Sequence, residues 1–141
     1  MQRWNVENYM KTIYLLQKKG SVRGADLAEE LGVARATVSV SLKTLEQDGY
    51  LRRLTDHTVV LTPKGMGIAL EIADRNKRIY DMLVGLGVDK HIAKKDACSM
   101  EHAISKESFC ALVALGAAYR TNTELFSAEL YAAGKNEVNI G

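Results

Sequence analysis

Three residues in the carboxyl-terminal half of the chain have side chains that bind transition metals. The segment DACSMEHAIS, residues 96–105, contains Cys98, Glu101 and His102. On a helix, residues three or four apart share a face, so Cys98 lies on the same side as the carboxylate and the imidazole. Such a set supplies three donors to one divalent ion. The alternative is that Cys98 is a small buried core residue and that Glu101 and His102 form a solvated or hydrogen-bonded pair.

The length and composition are those of an ordinary globular protein. The chain has 141 residues, of which 47% are apolar and 26% are charged, enough for one domain or for two small ones that share a core. Its first twenty residues hold five charged side chains in an amphipathic pattern, which argues against a signal peptide or a membrane span and indicates a cytoplasmic protein. The two cysteines, Cys98 and Cys110, are too few for a disulfide framework.

Basic residues are concentrated in the first half of the chain. Residues 1–64 hold ten Lys or Arg and seven Asp or Glu, a net charge of +3, whereas residues 65–141 hold nine and ten, a net charge of −1. If the basic residues lie on one face, that face attracts nucleic-acid phosphates.

The spacing of apolar residues predicts three helices in the first fifty residues. Periods of three and four place one helix over residues 5–19, one from Arg23 to Gly32 and one from Ala34 to Gly49. Gly32 suits the position after a helix end because glycine accepts a positive φ. The second and third helices, joined by a tight turn, are therefore a candidate helix-turn-helix.

The period changes after Gly49. Residues 50–54 and 58–61 are rich in apolar side chains and flank the polar sequence Thr55-Asp56-His57, which predicts a β-hairpin with a polar tip. A helix-turn-helix followed at once by a short hairpin is a winged helix.

Three further helices are predicted to follow the hairpin. The first spans about residues 63–84, with a threonine and a proline at its start. Asp89 caps the next, which reaches Ala103, and Ser105 begins the third. The residues after Thr121 are expected to form a last short helix and a loose tail. The predicted fold class is mainly α, with a winged helix-turn-helix at the amino terminus.

The start of the third helix and the hairpin carry side chains suited to DNA. Free amides and the positive end of the helix dipole favour a phosphate, and the basic and hydroxyl side chains there reach phosphates or base edges in a major groove. The alternative is that these are solvated charges on an ordinary helical domain. The candidate DNA-binding residues are Arg35, Ala36, Thr37, Ser39, Val40, Lys43, Arg52 and Arg53.

Four separated motifs resemble one family. The sequences VENYMKTIYLL, VRGADLAEELGVARATVSVSLKTLEQDGYL, LTPKG and DACSMEHAIS occur in the order and spacing of the iron- and manganese-dependent transcriptional repressors, the family of the diphtheria toxin repressor and the manganese transport regulator. The likeness covers about residues 5–118. It implies a winged-helix DNA-binding domain over residues 1–72, a helical dimerisation and metal-binding domain over residues 73–141, and a metal site that bridges them.

The resemblance also implies roles for single residues. Cys98, Glu101 and His102 fall on metal-ligand positions of the family, and Asn8 falls on the position of a ligand from the first helix. The cysteine matches the iron-sensing branch, so Fe²⁺ is the expected ion, with Mn²⁺, Co²⁺, Ni²⁺ and Zn²⁺ as alternatives. Lys11 stands where the manganese branch has a carboxylate.

The function that the resemblance implies is a metal-responsive repressor of metal-uptake genes, which binds a palindromic double-stranded DNA operator as a homodimer. Asn76 and Lys94 stand at positions of second-site histidines, which argues against a second metal site. An alternative within the family is a repressor without metal control, in which Lys11 replaces the ion. An alternative from another class is a small metalloenzyme with an open coordination position, although no HExxH-type pair or phosphate loop accompanies the candidate ligands.

Overall fold

The computed structural model describes residues 1–121, which form six helices and one two-stranded sheet. The elements are α1 (Arg3–Gln17), α2 (Gly24–Leu31), α3 (Arg35–Gln47), β1 (Leu51–Arg53), β2 (Val59–Leu61), α4 (Pro63–Gly85), α5 (Lys90–Ala103) and α6 (Lys106–Thr121). The predicted mainly helical fold with a small hairpin is confirmed. The short helix predicted after Thr121 lies outside the described residues. None of the described helices is both long and apolar enough to cross a membrane.

The chain divides into two compact units. The first is Met1–Asp74, and the second begins at Arg75, so that α4 starts in one unit and ends in the other. The domain boundary implied by the family resemblance, between residues 72 and 73, stays a prediction.

The first unit is built around the apolar sides of its helices and hairpin. Met10 and Ile13 on α1, Leu27 on α2, Leu45 on α3 and Leu51 on β1 are each at most 1% exposed and belong to one core cluster. Burying a side chain of this size stabilises a fold by about 1.5–3 kcal/mol. The apolar residues whose spacing predicted the helices are therefore also the residues that pack the helices against one another.

The turn between α2 and α3 has the geometry that the sequence predicted. Gly32 follows α2 with φ 66°, in the left-handed region that favours glycine. The next amide, that of Val33, donates to the carbonyl of Ala28 at 3.1 Å. This closes α2 and lets α3 begin three residues after the glycine, which confirms the helix-turn-helix.

The hairpin is antiparallel and short. Leu51 pairs with Leu61, and Arg53 pairs with Val59. The amide of Val59 also donates to the carbonyl of Val22 at 2.8 Å, which ties the second strand to the segment before α2. The predicted wing is thus confirmed and is anchored to the helix-turn-helix.

Side-chain caps begin both later helices of the second unit. The Asp89 carboxylate accepts from the amides of His91 at 2.9 Å and Ile92 at 3.3 Å, which confirms the predicted cap of α5. The Ser105 hydroxyl accepts from the amide of Ser108 at 3.1 Å and caps α6. Such a cap contributes about 1 kcal/mol because it satisfies amides that have no partner within the helix.

Candidate DNA interface and metal site

Helix α3 has two chemically different sides. Val38, Leu42 and Leu45 are buried and join the helix to the core of the first unit. The opposite side, which we call the α3 outer face, is exposed to solvent and carries every α3 residue that was predicted to bind DNA. These residues are Arg35, Ala36, Thr37, Ser39, Val40 and Lys43. The outer face therefore combines basic, hydroxyl and methyl groups, which are the groups that contact base edges in a major groove.

The start of α3 is open to an anion. Ala34 precedes the helix, and its side chain makes no capping hydrogen bond. The amides of the first turn and the positive end of the helix dipole favour a negative charge at this point. Arg35 adds a guanidinium at the same end, so a DNA phosphate is well matched to it.

A concave surface, which encloses a volume of about 610 Å³, brings basic residues together from separate parts of the first unit. Arg35 contributes from α3, Arg53 from β1, Arg23 from the segment before α2, and His57 from the hairpin tip. The rest of the lining is Gly24, Ala25, Ala36, Ser39 and Leu42. Among the described residues, those that line this surface include no carboxylate. Arg23 was not predicted as a site residue, although its place at the start of the helix-turn-helix was visible in the sequence.

Arg53 is held by a carboxylate from α3. Its Nη2 and Nε lie 2.8 Å and 3.0 Å from Oε2 of Glu46, and its backbone amide donates to Oε1 of Glu46 at 2.9 Å. The backbone amide first, and then the guanidinium, lower the pKa of Glu46. The pair joins the wing to α3 and engages part of the charge of Arg53, although both Arg53 and the neighbouring Arg52 are exposed.

The hairpin tip is shaped by two local hydrogen bonds. The carboxylate of Asp56 accepts from the amide of Thr58 at 3.0 Å, which is the largest cause of a lowered pKa of Asp56. The amide of His57 donates to the carbonyl of Leu54 at 3.0 Å. Between these bonds His57 adopts φ 67°, a conformation that costs a residue other than glycine of order 1 kcal/mol. The turn thereby places His57 at the concave surface.

Glu101 and His102 on α5 have side chains that meet. The side chain of Glu101 is 0% exposed and that of His102 is 4% exposed, and Oε1 of Glu101 lies 3.0 Å from Nε2 of His102. An N···O distance of 3.0 Å is that of a direct hydrogen bond or ion pair. A carboxylate and an imidazole are also donor types that bind divalent transition-metal ions.

Cys98 lies one turn earlier on α5 but in a different environment. Its thiol is exposed and accepts a hydrogen bond from Nδ2 of Asn76 at 3.5 Å. Within the described part of the chain, no three His, Cys, Asp or Glu side chains are grouped so that they could hold one ion. Of the predicted ligands on α5, the structure brings Glu101 and His102 together and leaves Cys98 at the surface. Asn8 lies on α1, in the first unit.

A buried arginine supports the turn that carries Glu101. Arg75 is 4% exposed, its Nη1 donates to the carbonyl of Glu101 at 3.0 Å, and its Cζ lies 5.4 Å from the ring centre of Phe109. It therefore connects α4, α5 and α6. Sequence reasoning missed this residue, although it lies three residues after Ile72 and four before Ile79, within the buried stripe of α4.

The chain matches two family models. Residues 3–57 match the DNA-binding domain described as "Iron dependent repressor, N-terminal DNA binding domain". Residues 62–123 match "Iron dependent repressor, metal binding and dimerisation domain".

Similar proteins include two kinds of regulator. Transcriptional regulator MntR of Salmonella typhimurium is 34% identical over 120 residues, which cover 84% of this chain and 76% of that protein. Diphtheria toxin repressor of Corynebacterium glutamicum is 32% identical over 103 residues, which cover 72% of this chain and 45% of that protein.

Solved structures of similar fold include two manganese regulators. A manganese-dependent transcriptional repressor in complex with manganese has a TM-score of 0.72 at 28% identity and matches 79% of this chain and 52% of that chain. The manganese regulator SloR has a TM-score of 0.65 at 24% identity and matches 76% of this chain and 51% of that chain; this second likeness concerns the fold alone. This chain thus spans about half the length of each of these two proteins.

Proposed function

Because the chain belongs to the iron-dependent repressor family, we propose that it is a cytoplasmic transcriptional repressor that binds a palindromic operator as a homodimer when a divalent metal ion is bound. The regulated genes are proposed to be those of metal uptake. The observation that carries the proposal is the α3 outer face, which is exposed, basic and adjacent to the concave surface lined by three arginines.

In the proposed complex, α3 enters a major groove. The amides at its start and Arg35 contact one phosphate, Lys43 contacts a second, and Ser39 lies between them toward the base edges. Arg52 contacts the backbone from the wing, while Arg53 mainly fixes the wing through Glu46. Two copies of the chain would place their α3 helices in half-sites about 34 Å apart, or a multiple of that distance.

The proposed metal ligands are Glu101 and His102, with Cys98 as a thiolate donor and Asn8 as a further donor. Fe²⁺ is the proposed ion, because a thiolate together with an imidazole favours later first-row metals over Mn²⁺. When bound, the ion would supply positive charge that the Glu101 carboxylate would balance. Arg75 donates to the backbone carbonyl of Glu101 and would hold the turn that carries the carboxylate.

We propose that metal binding and DNA binding are coupled through one conformational equilibrium of the protein. If a metal ion raises the affinity for DNA by some factor, DNA raises the affinity for that ion by the same factor. The coupling is a difference in metal affinity between the DNA-competent form and the other forms of the protein. Both affinities can be measured independently, so this equality is a direct test.

DNA binding is tested by fluorescence anisotropy on duplexes selected by the wild type from a randomised library with Co²⁺ present under anaerobic conditions. We expect Lys43→Ala to weaken binding and to reduce the slope of log Kd against log salt by about one for each half-site contact. Lys95→Ala, which removes an exposed lysine from α5, is the matched control and should leave the slope unchanged. Equal slopes for both variants and the wild type would contradict the placement of α3.

Metal binding is tested by anaerobic titration of the reduced protein with Co²⁺. We expect ligand-field bands with a thiolate-to-metal absorption that saturates, disappears in Cys98→Ser and persists in Cys110→Ser, because Cys110 lies on α6 outside the proposed ligand set. Absence of the thiolate band from the wild type would remove Cys98 from the set.

Metal control is tested by comparing DNA affinity under anaerobic conditions with Co²⁺, which has the donor preferences expected of this site, and with a chelator. We expect Glu101→Gln to weaken only the metal-dependent binding. Equal DNA affinity of the wild type under both conditions would refute metal control and would favour the repressor in which Lys11 replaces the ion.

A further inference from the structure

Val40 is exposed without a structural reason. It is 69% exposed, more than any other large apolar side chain within residues 1–121. It lies two residues from both Val38 and Leu42, about 200° around the helix from each, so it points away from the core that those residues join. An apolar side chain on this face gains nothing from burial in the free protein.

Valine at this position does not stabilise the helix either. A β-branched residue is a weaker helix former than alanine because its side chain loses rotamer freedom. In a helix that same restriction keeps valine largely in one χ1 rotamer. The two methyl groups of Val40 are therefore held in fixed positions, and a contact with them costs little further side-chain entropy.

The surroundings of Val40 match a particular feature of the major groove. Ala36 lies one turn before it and Lys43 one turn after it, on the same side of α3. On the outer face, Arg35 and Lys43 are assigned to phosphates and Thr37 and Ser39 carry hydroxyl groups, whereas Ala36 and Val40 offer only apolar groups. The group that a base pair offers to an apolar side chain in the major groove is the 5-methyl group of thymine.

We propose that Val40 is a specificity-determining residue that recognises a thymine in each half-site through its 5-methyl group. The inference rests on the proposed DNA-binding function and deepens it, because it names a base that the operator must contain. The basic residues on either side would fix the helix on the phosphates, and Val40 would then distinguish thymine from the other bases by a methyl-to-methyl contact.

The test removes the methyl group of thymine and, separately, the two side-chain methyl groups of Val40. A duplex selected from a randomised library by the wild type, with Co²⁺ present under anaerobic conditions, is resynthesised with single thymines replaced by 2′-deoxyuridine. At one thymine of the half-site we expect the replacement to raise the wild-type Kd about fourfold, the effect of losing one buried carbon group. Val40→Ala is expected to bind the thymine and deoxyuridine duplexes with equal affinity.

Leu15→Ala is the matched control, since Leu15 is an exposed apolar residue on α1 of the same unit; it should keep the full fourfold difference. If Val40→Ala keeps the wild-type sensitivity to deoxyuridine, or if no thymine in a specifically bound duplex is sensitive, the inference about Val40 is wrong and the proposed function stands. If the wild type selects no sequence from the library, the proposed function itself fails and the inference fails with it.

Discussion

Gly65 should tolerate no side chain, because the first turn of α4 passes close to the start of the wing. A Cβ added at Gly65 would collide with the backbone carbonyl of Tyr50 and would lie 3.0 Å from Sδ of Met10. The carbonyl cannot move aside freely, since it also accepts from the amide of Thr62 at 3.1 Å. Gly67, two residues later in the same helix, has nothing within 4 Å of the position that a Cβ would occupy.

Comparing alanine substitutions at the two glycines isolates the steric cost of a Cβ at Gly65. Replacing glycine by alanine in a helix stabilises by about 0.5–1 kcal/mol, and this gain is shared by both positions. Overpacking costs about 1–3 kcal/mol, and a backbone obstacle places Gly65→Ala at the upper end. We therefore expect Gly65→Ala to lose about 2 kcal/mol of unfolding free energy and Gly67→Ala to gain about 1 kcal/mol.

The assay is urea denaturation of both variants and the wild type, followed by circular dichroism at the helical band. The expected result is a lower midpoint for Gly65→Ala and a raised midpoint for Gly67→Ala, with unchanged slopes. Equal midpoints for the two variants would refute the close approach of α4 to the carbonyl of Tyr50. It would then follow that the wing is not supported by this contact.

Three further changes test the contacts described above. Glu46→Gln should destabilise the protein at neutral pH, because a carboxyl whose pKa is lowered in the folded state stabilises the fold only while it is ionised. The difference in urea midpoint between this variant and the wild type should shrink as pH falls below 4.5, the ordinary pKa of this carboxyl. A difference that stays constant with pH would contradict the contact with Arg53. Arg75→Met should lower the unfolding free energy by about 2 kcal/mol because the Glu101 carbonyl loses a charged donor, and an unchanged urea midpoint would refute this. Asp89→Ala should cost about 1 kcal/mol by removing the α5 cap; an equal thermal midpoint would refute that cap.

The local parts of this fold were predictable from the sequence. Gly32 has the positive φ expected of a residue after a helix end, and Asp89 caps α5 as predicted. The hairpin lies where the period of apolar residues changed. These features depend on residues within about four positions of one another, so the information that determines them is contained in short segments.

The exposed side of α3 was predictable for a related reason. The spacing of Val38, Leu42 and Leu45 identifies the buried side, and every candidate on the opposite side is exposed. The pattern could not show that Arg53 is engaged by Glu46, because that pair joins a strand to a helix and depends on how the wing packs.

The arrangement of charges was decided by the tertiary structure alone. Arg23, Arg35 and Arg53 line one concave surface although they belong to separate elements, and Arg75 is buried within an otherwise apolar stripe. Cys98 and Glu101 share a helix, yet the first is exposed and the second fully buried. A helical period assigns residues to a side of one helix, but burial of a charged or polar group depends on which other elements cover that side and supply its hydrogen bonds.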